Sequence, residues 1–339
     1  MGKVCNKQLK DLISVLDEII DYYKEDKQPK KRDWRTYEQR FAERMKTVFR
    51  ELKPLIQEVI ETTSFSKGET RGVKSVLPLE KKVIALLLKH FINKSNRTMS
   101  TMLVMFSLLS DVDVSYKTVE RFYSDYEVVV ILYNLHALIL SKKEVKKANG
   151  SGDGTGYSLS VKVNYEAKAQ KLKDKVKDVK TSKEYKKKLF VYSFKIIDIT
   201  TKLYIGFGTS FRSEKEAFLE CLNIIEKNNI KLSNIRLDKY FSKQKYVLLL
   251  KQKFPDVKIS ILPQKNATIK GSYAWKEIMH DIITDPITYL EDYFQRNQSE
   301  SAFAEDKKRT GWTLGQKKPD RIQTADLLTT VIHNLCWYG

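Results

Sequence analysis

Hydrophobic residues recur at helical spacing throughout the first 147 residues of the chain. Apolar side chains three and four residues apart give a helix one hydrophobic face, and this pattern occupies five segments: 8–23, 36–62, 79–92, 98–110 and 116–141. Gly68 and Gly72 fall in a Ser-rich, charged stretch at 64–75 that is typical of a loop. The pattern therefore predicts a helical N-terminal half.

The pattern changes at Asn149. The stretch "NGSGDGTGYSLSVKV" is rich in glycine and then alternates apolar and polar residues as a strand does. Residues 162–188 contain eleven lysines against four acids, which is typical of a mobile basic segment or a long loop. The runs "KLFVYSFKIIDIT" and "KLYIGFGTSF" predict a β-hairpin. Further along, the pattern predicts these elements: a Ser-capped helix at 213–229, a strand and a helix in 235–254, a strand at 256–265, and helices at 272–283, 286–310 and 320–337.

The order of these elements predicts an α+β chain in which a mixed sheet is flanked by helices. It begins with three strands, the second and third forming an antiparallel hairpin, and continues as helix, strand, helix, strand, helix. The ribonuclease-H-like fold has this order, but order alone is a weak argument because many α/β domains share it.

The charge balance points to a polyanionic partner. Lys and Arg number 62 against 42 acids, which gives a net charge of +20 in a chain of 339 residues. Such an excess favours nucleic acid first and an anionic membrane surface second. The chain has no run of 18 apolar residues, and its N-terminus has no cleavage signal, so we expect no membrane partner. A hydrophobic content of 42% argues against wholesale disorder.

The cysteines and histidines give no sign of a disulfide framework or a zinc site. Cys5, Cys221 and Cys336 are odd in number and scattered, which predicts a reduced protein in the cytoplasm. The four histidines never cluster with cysteine at zinc-ligand spacing.

Three acids fall where metal-dependent phosphoryl transfer would need them. Carboxylates from separate elements must converge to hold two Mg²⁺ ions about 3.5–4 Å apart. Asp153 lies just before or on the first strand, Asp238 at the carboxyl end of a later strand, and Glu300 on a late helix. Each has a plain alternative: a turn residue for Asp153, a helix N-cap for Asp238, and an ion-paired surface helix for Glu300.

The helix that contains Glu300 has a distinctive polar face. At about 100° per residue, Tyr293, Arg296, Glu300 and Lys307 fall within an arc of roughly 60°. The alternative is a solvated helix stabilised by ion pairs four residues apart.

Taken together, these residues resemble a known family. Tyr293-x2-Arg296-x3-Glu300-x6-Lys307 matches the Tyr-Arg-Glu-Lys signature of the DDE transposases of bacterial and archaeal insertion sequences. "DGTGYSLS" and "RLDKYFS" are similar to the blocks around the family's two aspartates, and the resemblance covers roughly 149–339. The chain departs from the family in the polar "KKANGSG" before Asp153, where an apolar strand is usual, and in lacking a glycine directly after Asp238.

The resemblance implies a fold and an activity. Residues 148–339 would form a ribonuclease-H-like catalytic domain that cleaves DNA and transfers the strand. Asp153, Asp238 and Glu300 would be its catalytic acids and would hold two ions of Mg²⁺, or of Mn²⁺ as a substitute.

The same resemblance implies how DNA is bound. Arg296 and Lys307 would bind phosphates beside the cleaved bond, and Tyr293 would contact the DNA backbone. The partners would be double-stranded element ends and target DNA, bound by a homodimer associated with a prokaryotic nucleoid.

The N-terminal half, residues 1–147, would then be a DNA-binding domain. Residues 98–125 predict a helix-turn-helix in which Ser115 caps the second helix, and Lys117 and Arg121 share one face of it. The alternative is an ordinary helical hairpin in a bundle.

Other functions stay open at the level of sequence. One is a catalytically inactive or domesticated DNA-binding protein derived from a transposase, and another is a metal-dependent nuclease without strand transfer. Trp275 and Trp312 could stack on bases, although tryptophans are more often core residues.

Overall fold

Helices make up most of the residues that the structure describes, and six strands of the same ranges form a sheet. The computed structural model describes residues 4–26, 33–65, 77–93, 99, 102, 114–159 and 190–339. The helices of these ranges are α1 (Asn6–Asp26), α2 (Trp34–Thr62), α3 (Leu79–Phe91), α4 (Tyr116–Phe122), α5 (Tyr126–Lys142), α6 (Glu214–Lys227), α7 (Gln244–Lys253), α8 (Tyr273–Thr284), α9 (Pro286–Tyr293), α10 (Asn297–Thr310) and α11 (Pro319–Tyr338). The strands are β1 (Lys147–Leu159), β2 (Phe190–Asp198), β3 (Tyr204–Ser210), β4 (Lys231–Arg236), β5 (Lys258–Ser260) and β6 (Thr313–Leu314).

Two predicted helices are interrupted. The run at 116–141 is split into α4 and α5 because the Asp125 side chain accepts the backbone N–H groups of Glu127 at 3.1 Å and Val128 at 3.4 Å, which caps α5. The helix predicted at 286–310 is divided into α9 and α10 by a 3₁₀ turn at Phe294–Arg296. A tight turn in a helical run often marks a functional hinge or local strain. The helix predicted at 98–110 lies almost entirely outside the described residues, and the other predicted helices and the β-hairpin are confirmed within about three residues at each end.

The sheet is mixed, as predicted. Its strand order is β3-β2-β1-β4-β5, and β6 pairs with the far end of β1. The β1–β2 and β2–β3 pairs are antiparallel, and the β1–β4, β4–β5 and β1–β6 pairs are parallel. Strand β1 is therefore central and joins the hairpin to the parallel part of the sheet.

The glycines of β1 and β3 leave space for side chains and backbone of the elements that pack on the sheet. A Cβ on Gly152 would lie 2.8 Å from Leu237 Cδ2, and one on Gly208 of β3 would collide with the carbonyl oxygen of Ala217 in α6. Strand β1 starts at Lys147, so it includes most of the polar stretch "KKANGSG", which the sequence analysis described as lying before Asp153.

Helix α11 connects the N-terminal helices to the sheet. It contacts α2 and α5 on one side and β3 on the other, and nearly all of its side chains are buried. Its Asp326, fully buried, accepts hydrogen bonds from Ser193 Oγ at 2.9 Å and Thr209 Oγ1 at 2.6 Å. Lys195 Nζ lies 3.8 Å from the same carboxylate. The N-terminal helices and the sheet thus share one continuous core, and their division into two functional domains near residue 147 stays a prediction.

The remaining sequence expectations have mixed outcomes. Trp275 is buried and donates its indole N–H to Thr268 O, whereas Trp312 is 65% exposed. None of the helices in the described ranges is both long and apolar enough to span a bilayer. The basic segment at 162–188 and most of the first helix of the predicted helix-turn-helix, 98–110, lie outside the described residues.

Candidate active site

On one edge of β1, the part paired with β4 and the part paired with β6 are separated by a stretch that no described strand pairs with, called here the open edge. Pairing with β4 ends where Arg236 faces Ser151, and pairing with β6 involves only Ser158 and Leu159. On this edge, residues 152–157 of β1 have no neighbouring strand among the described residues. The open edge lies directly beyond the carboxyl end of β4, the position at which open α/β sheets bind their ligands.

The three sequence-predicted acids are brought toward this open edge from three elements. Asp153 is the second residue of the open stretch of β1, and Asp238 lies two residues beyond the end of β4. Glu300 is in the first turn of α10, which packs against β1. The three acids therefore lie on elements that border the same part of β1.

Arg296 links two of these acids. Its Nη1 lies 3.4 Å from Asp153 Oδ2, and its Nη2 donates to Glu300 Oε1 at 2.5 Å. The ion pair between residues 296 and 300 was the plain alternative for this helix, and it is present. It does not exclude a functional role, because the same guanidinium also reaches Asp153 on the sheet.

The pKa of Asp153 is affected by the charges of the other two acids. Burial raises the pKa of Asp153 to about 6, and the charges of Glu300 and Asp238 add to the increase although Arg296 opposes it. The Asp153 side chain is 18% exposed, whereas that of Glu300 is 51% exposed. Burial, more than the charges of the other acids, thus disfavours the ionised form of Asp153.

Asp238 also has the role that the sequence offered as its alternative, a cap at the start of a helical turn. Its Oδ2 accepts the backbone N–H of Tyr240 at 3.2 Å and caps a 3₁₀ turn at Lys239–Phe241. Across the described ranges, no three His, Cys, Asp or Glu side chains are grouped closely enough to hold a metal ion as they stand. In this arrangement Arg296 lies between Asp153 and Glu300.

Buried hydrogen bonds fix the turn before α10 onto the sheet. Ser151 Oγ donates to the carbonyl oxygen of Arg296 at 3.0 Å and to Ser299 Oγ at 3.1 Å. Arg236 at the end of β4 is almost fully buried, pairs with the Asp292 carboxylate, and donates Nη1 to Asn149 Oδ1 at 2.6 Å. These contacts determine where Arg296 and Glu300 lie relative to Asp153.

A second buried cluster fixes the body of α10. Tyr204 donates its hydroxyl to Asp306 Oδ2 at 2.8 Å, and His333 Nδ1 lies 2.8 Å from Asp306 Oδ1. Although burial raises it, the pKa of Asp306 is held below its ordinary value, mainly by His333. Helix α10 is therefore bonded both to β3 and to α11.

Tyr293 and Lys307, the outer members of the four-residue signature, occupy different surroundings. Tyr293 is 3% exposed, and burial raises its pKa to about 12 while Arg296 opposes the increase. Lys307 Nζ lies 5.4 Å from the ring centre of Tyr157 and 4.7 Å from that of Trp312. Lys307 is therefore at the β6 end of the open edge, two turns from Glu300.

The sequence-predicted recognition residues are exposed. Lys117 and Arg121 lie on the outer face of α4, and Ser115 Oγ accepts the Thr118 N–H at 3.3 Å as the predicted cap. The inner face of α4 is attached to α11 through an ion pair between Glu120 and Arg321. Contact with DNA by either basic residue stays a prediction.

Several residues that shape the site escaped the sequence reasoning. Ser151 and Arg236 hold α9 and α10 in place, and Glu214 at the start of α6 packs against Gly154. Their contacts join elements far apart in sequence, so spacing gives no signal for them. A buried arginine at the end of a strand is detectable only as a charge in an otherwise apolar pattern.

Comparison with known proteins gives one extensive match. The chain is 35% identical over 335 residues to a probable transposase for an insertion sequence element of Archaeoglobus fulgidus, covering 98% of this chain and 96% of that protein. No protein-family model matches the chain.

The raised pKa of Asp153 predicts a stability gain on neutralisation. Ionised Asp153 is disfavoured by the fold, so its contribution to stability falls as pH rises from about 4, its unfolded pKa, to about 6. At about 1.4 kcal/mol per pKa unit, Asp153→Asn should raise the unfolding free energy on the order of 2 kcal/mol at pH 7.5 in EDTA, and by less at pH 5. Urea denaturation at both pH values measures this, with exposed Asp17→Asn as the control. A gain that is equal at both pH values would contradict the assigned cause.

Proposed function

Because the chain belongs to the insertion-sequence transposases, we propose that it is a DDE-type enzyme that binds the terminal repeats of its element and catalyses Mg²⁺-dependent DNA cleavage and strand transfer. The observation that supports this proposal is that Asp153 on β1, Asp238 just beyond β4 and Glu300 in the first turn of α10 all come from elements that border one edge of β1. The charges of Asp238 and Glu300 act on the pKa of Asp153.

The strand arrangement supports a ribonuclease-H-like catalytic domain. The order β3-β2-β1-β4-β5, with an antiparallel hairpin on one side of β1 and parallel strands on the other, is the arrangement expected of that fold. The proposal assigns residues 148–339 to this domain and residues 1–147 to DNA binding.

The chemistry of the site suits a divalent cation of the magnesium class. Its donors are carboxylate oxygens, the hard ligands that Mg²⁺ and Mn²⁺ prefer. Burial, with a smaller contribution from Glu300 and Asp238, raises the pKa of Asp153, and a cation at the same place would favour its ionised form. Asp153, Asp238 and Glu300 would hold two such ions. When bound, the ions would activate the attacking water or 3′-hydroxyl and neutralise charge on the phosphate.

Arg296 has a specific part in this proposal. While it is paired with Asp153 and Glu300 it compensates their charges, and its buried Nε has no hydrogen-bond acceptor among the described residues. We propose that Arg296 turns from the carboxylates to a DNA phosphate when substrate binds, because a guanidinium matches a phosphate with two parallel hydrogen bonds. The ion pairs thus keep Arg296 beside the position of the scissile bond.

The other two signature residues would act at the margins. Lys307, held against the faces of Tyr157 and Trp312, would bind a phosphate farther along the strand as a point charge. Tyr293 was predicted to contact the DNA backbone, but its burial favours an indirect role in which it positions Arg296.

The catalytic acids can be tested individually. Asp153→Asn, Asp238→Asn and Glu300→Gln should each reduce cleavage of element-end DNA by at least about 1,000-fold, since each removes a cation ligand from phosphoryl transfer. Binding of the same DNA in EDTA should change less than about threefold, because none of the three donates to DNA. A gel cleavage assay in Mg²⁺ and a mobility-shift assay measure the two quantities. Substantial cleavage by any variant would remove that residue from the site.

Substitutions of Arg296 and of the lysines of α10 can distinguish a role in DNA cleavage from a role in stabilising the helix. Arg296→Ala and Arg296→Lys should both impair cleavage, because an ammonium cannot reproduce the paired hydrogen bonds of a guanidinium. Lys307→Ala should also reduce cleavage and lower the salt dependence of DNA binding by about one ion. Lys308, adjacent and exposed, provides the matched control. If Arg296→Ala, Lys307→Ala and Lys308→Ala are equally active, the shared face serves only to stabilise the helix.

The role of α4 can be tested in the intact chain. Replacing both Lys117 and Arg121 by Ala should weaken binding to the terminal repeat in EDTA by about tenfold or more, at roughly 1–3 kcal/mol for each good base contact. Both side chains are exposed, so the melting temperature should stay unchanged. Lys81 is exposed on α3, and Lys81→Ala provides a control for loss of charge. Unchanged specific binding in the double variant would exclude α4 as the recognition helix.

A further inference from the structure

Polar contacts attach α4 to the first turns of α11. Arg321 of α11 is 9% exposed, donates Nε to Ser124 Oγ at 2.7 Å, and pairs with the Glu120 carboxylate. One turn further along α11, Thr324 Oγ1 donates to the carbonyl oxygen of Tyr123 at 2.7 Å. The residues that α11 holds therefore lie within α4 or directly after it.

Two buried lysines of α3 hold the same end of α4 as well. Lys89 Nζ donates to the Tyr123 hydroxyl at 2.6 Å, and Lys82 Nζ donates to Asp125 Oδ2 at 2.8 Å. The two lysines are 8% and 6% exposed. Buried polar groups are costly when they lose a partner, so these contacts resist movement of α4 on the body of the protein.

The later turns of α11 are attached to the sheet and to α10. Asn334 accepts the backbone N–H of Tyr204 in β3 at 2.8 Å and donates to the carbonyl oxygen of the same residue at 2.9 Å. His333 Nδ1 lies 2.8 Å from Asp306 Oδ1 in α10. Helix α11 thus contacts α4 with its first turns and the helix that carries Glu300 with its last ones.

The length and composition of α11 make it a rigid connection between these contacts. It runs from Pro319 to Tyr338, so its 20 residues span about 30 Å. Its proline is at the first position, where a helix tolerates it, and no proline or glycine follows within the helix. A movement of α4 would therefore have to break its contacts with α11, because that helix resists bending.

We propose that Arg321 is a positioning residue that fixes α4 relative to the catalytic acids, so that DNA is cut at a set distance from the sequence that α4 reads. The inference rests on the proposed function, in which Lys117 and Arg121 of α4 contact the terminal repeat. Both side chains are exposed, and the groups that Arg321 holds are different ones. A recognition helix held in one position lets one phosphate reach the acids, whereas a loosely tethered helix would let several do so.

The first test changes the spacing in the DNA. Two base pairs are inserted between the terminal repeat and the cut end of a duplex, and the full chain is incubated with this duplex in Mg²⁺. The wild type should cut at an unchanged distance from the repeat, or fail to cut if the end sequence is also required. A cut that moves outward with the end sequence would overturn the inference, because the acids would then find their phosphate independently of α4. A sequencing gel gives the position of the cut.

The second test loosens α4. Arg321→Ala should bind the repeat in EDTA as the wild type does, because the exposed basic residues of α4 are unchanged. Loss of hydrogen bonds to a charged group changes an equilibrium by about tenfold, so the fraction of cuts at phosphates next to the main position should rise by about that factor. Arg321→Lys keeps a charge beside Glu120 but not the bond to Ser124, and it should restore part of the precision.

A control separates this loss of precision from a general loss of stability. Ile225→Val shortens a buried side chain of α6 that packs against Gly206 of β3. It should lower the melting temperature and still cut at the single wild-type position. Where Arg321→Ala does not fold, Glu120→Gln takes its place, because it removes the charge of the ion pair and keeps the size of the side chain. Cuts confined to the wild-type position in the folded variant would contradict the positioning role.

The outcomes separate this inference from the proposed function. Unchanged cut positions in the folded variant, with normal cleavage by the wild type, would overturn the role of Arg321 and leave the catalytic acids and α4 in their proposed roles. Failure of the wild type to cut the unmodified duplex in Mg²⁺ would overturn the proposed function itself, and this inference with it. Specific binding retained by the double variant of Lys117 and Arg121 would remove α4 as the recognition helix, and this inference with it.

Discussion

The candidate site depends on a mismatch in strand length at the centre of the sheet. β1 continues past the last pair it makes with β4, Ser151 with Arg236, and its next partner on that edge among the described strands is β6 at Ser158. Between these points the strand keeps its pairing with β2 on one side, and no described strand pairs with it on the other. A carboxylate on this stretch is held by a rigid strand and remains accessible from the edge. Asp153 has this position, and Asp238 lies two residues beyond the end of β4, the strand that pairs with β1 up to Ser151.

The third acid, Glu300, must be brought to the same place by α10, which begins at Asn297, far from Asp153 in sequence. Two sets of buried polar contacts achieve this. The turn before α10 is held by contacts among Ser151, Ser299, Arg236 and Asp292. The body of α10 is held by contacts among Tyr204, His333 and Asp306. Buried polar groups are costly when any partner is missing. The contacts therefore select one position of α10, and Arg296 can reach both Asp153 and Glu300 only from that position.

Much of this arrangement could be predicted from the sequence. Periodicity identified most of the helices and the β-hairpin, because each depends on a local apolar face or a local turn. The spacing from Tyr293 to Lys307 predicted one common face, and Arg296 and Glu300 are paired as it implies. A 3₁₀ turn after Tyr293 interrupts the helix, however, and Tyr293 and Lys307 lie in different surroundings. The start of β1 was missed because its glycines are required by packing against Leu237 and Glu214, which lie far away in sequence. Glu214 was treated only as part of a helix start for the same reason. The burial of Tyr293 was also not foreseen, since a helical wheel gives direction but not what packs there.

The central claim is that the open edge of β1 is a two-cation site whose acids are paired with Arg296 when no cation is bound. The most direct measurement is anomalous diffraction from crystals of the full chain soaked in Mn²⁺. The account predicts two manganese peaks about 3.5–4 Å apart at the carboxylates of Asp153, Asp238 and Glu300, with the Arg296 guanidinium moved away from Asp153 and Glu300. Manganese bound elsewhere, with Arg296 still bridging the two acids, would contradict it.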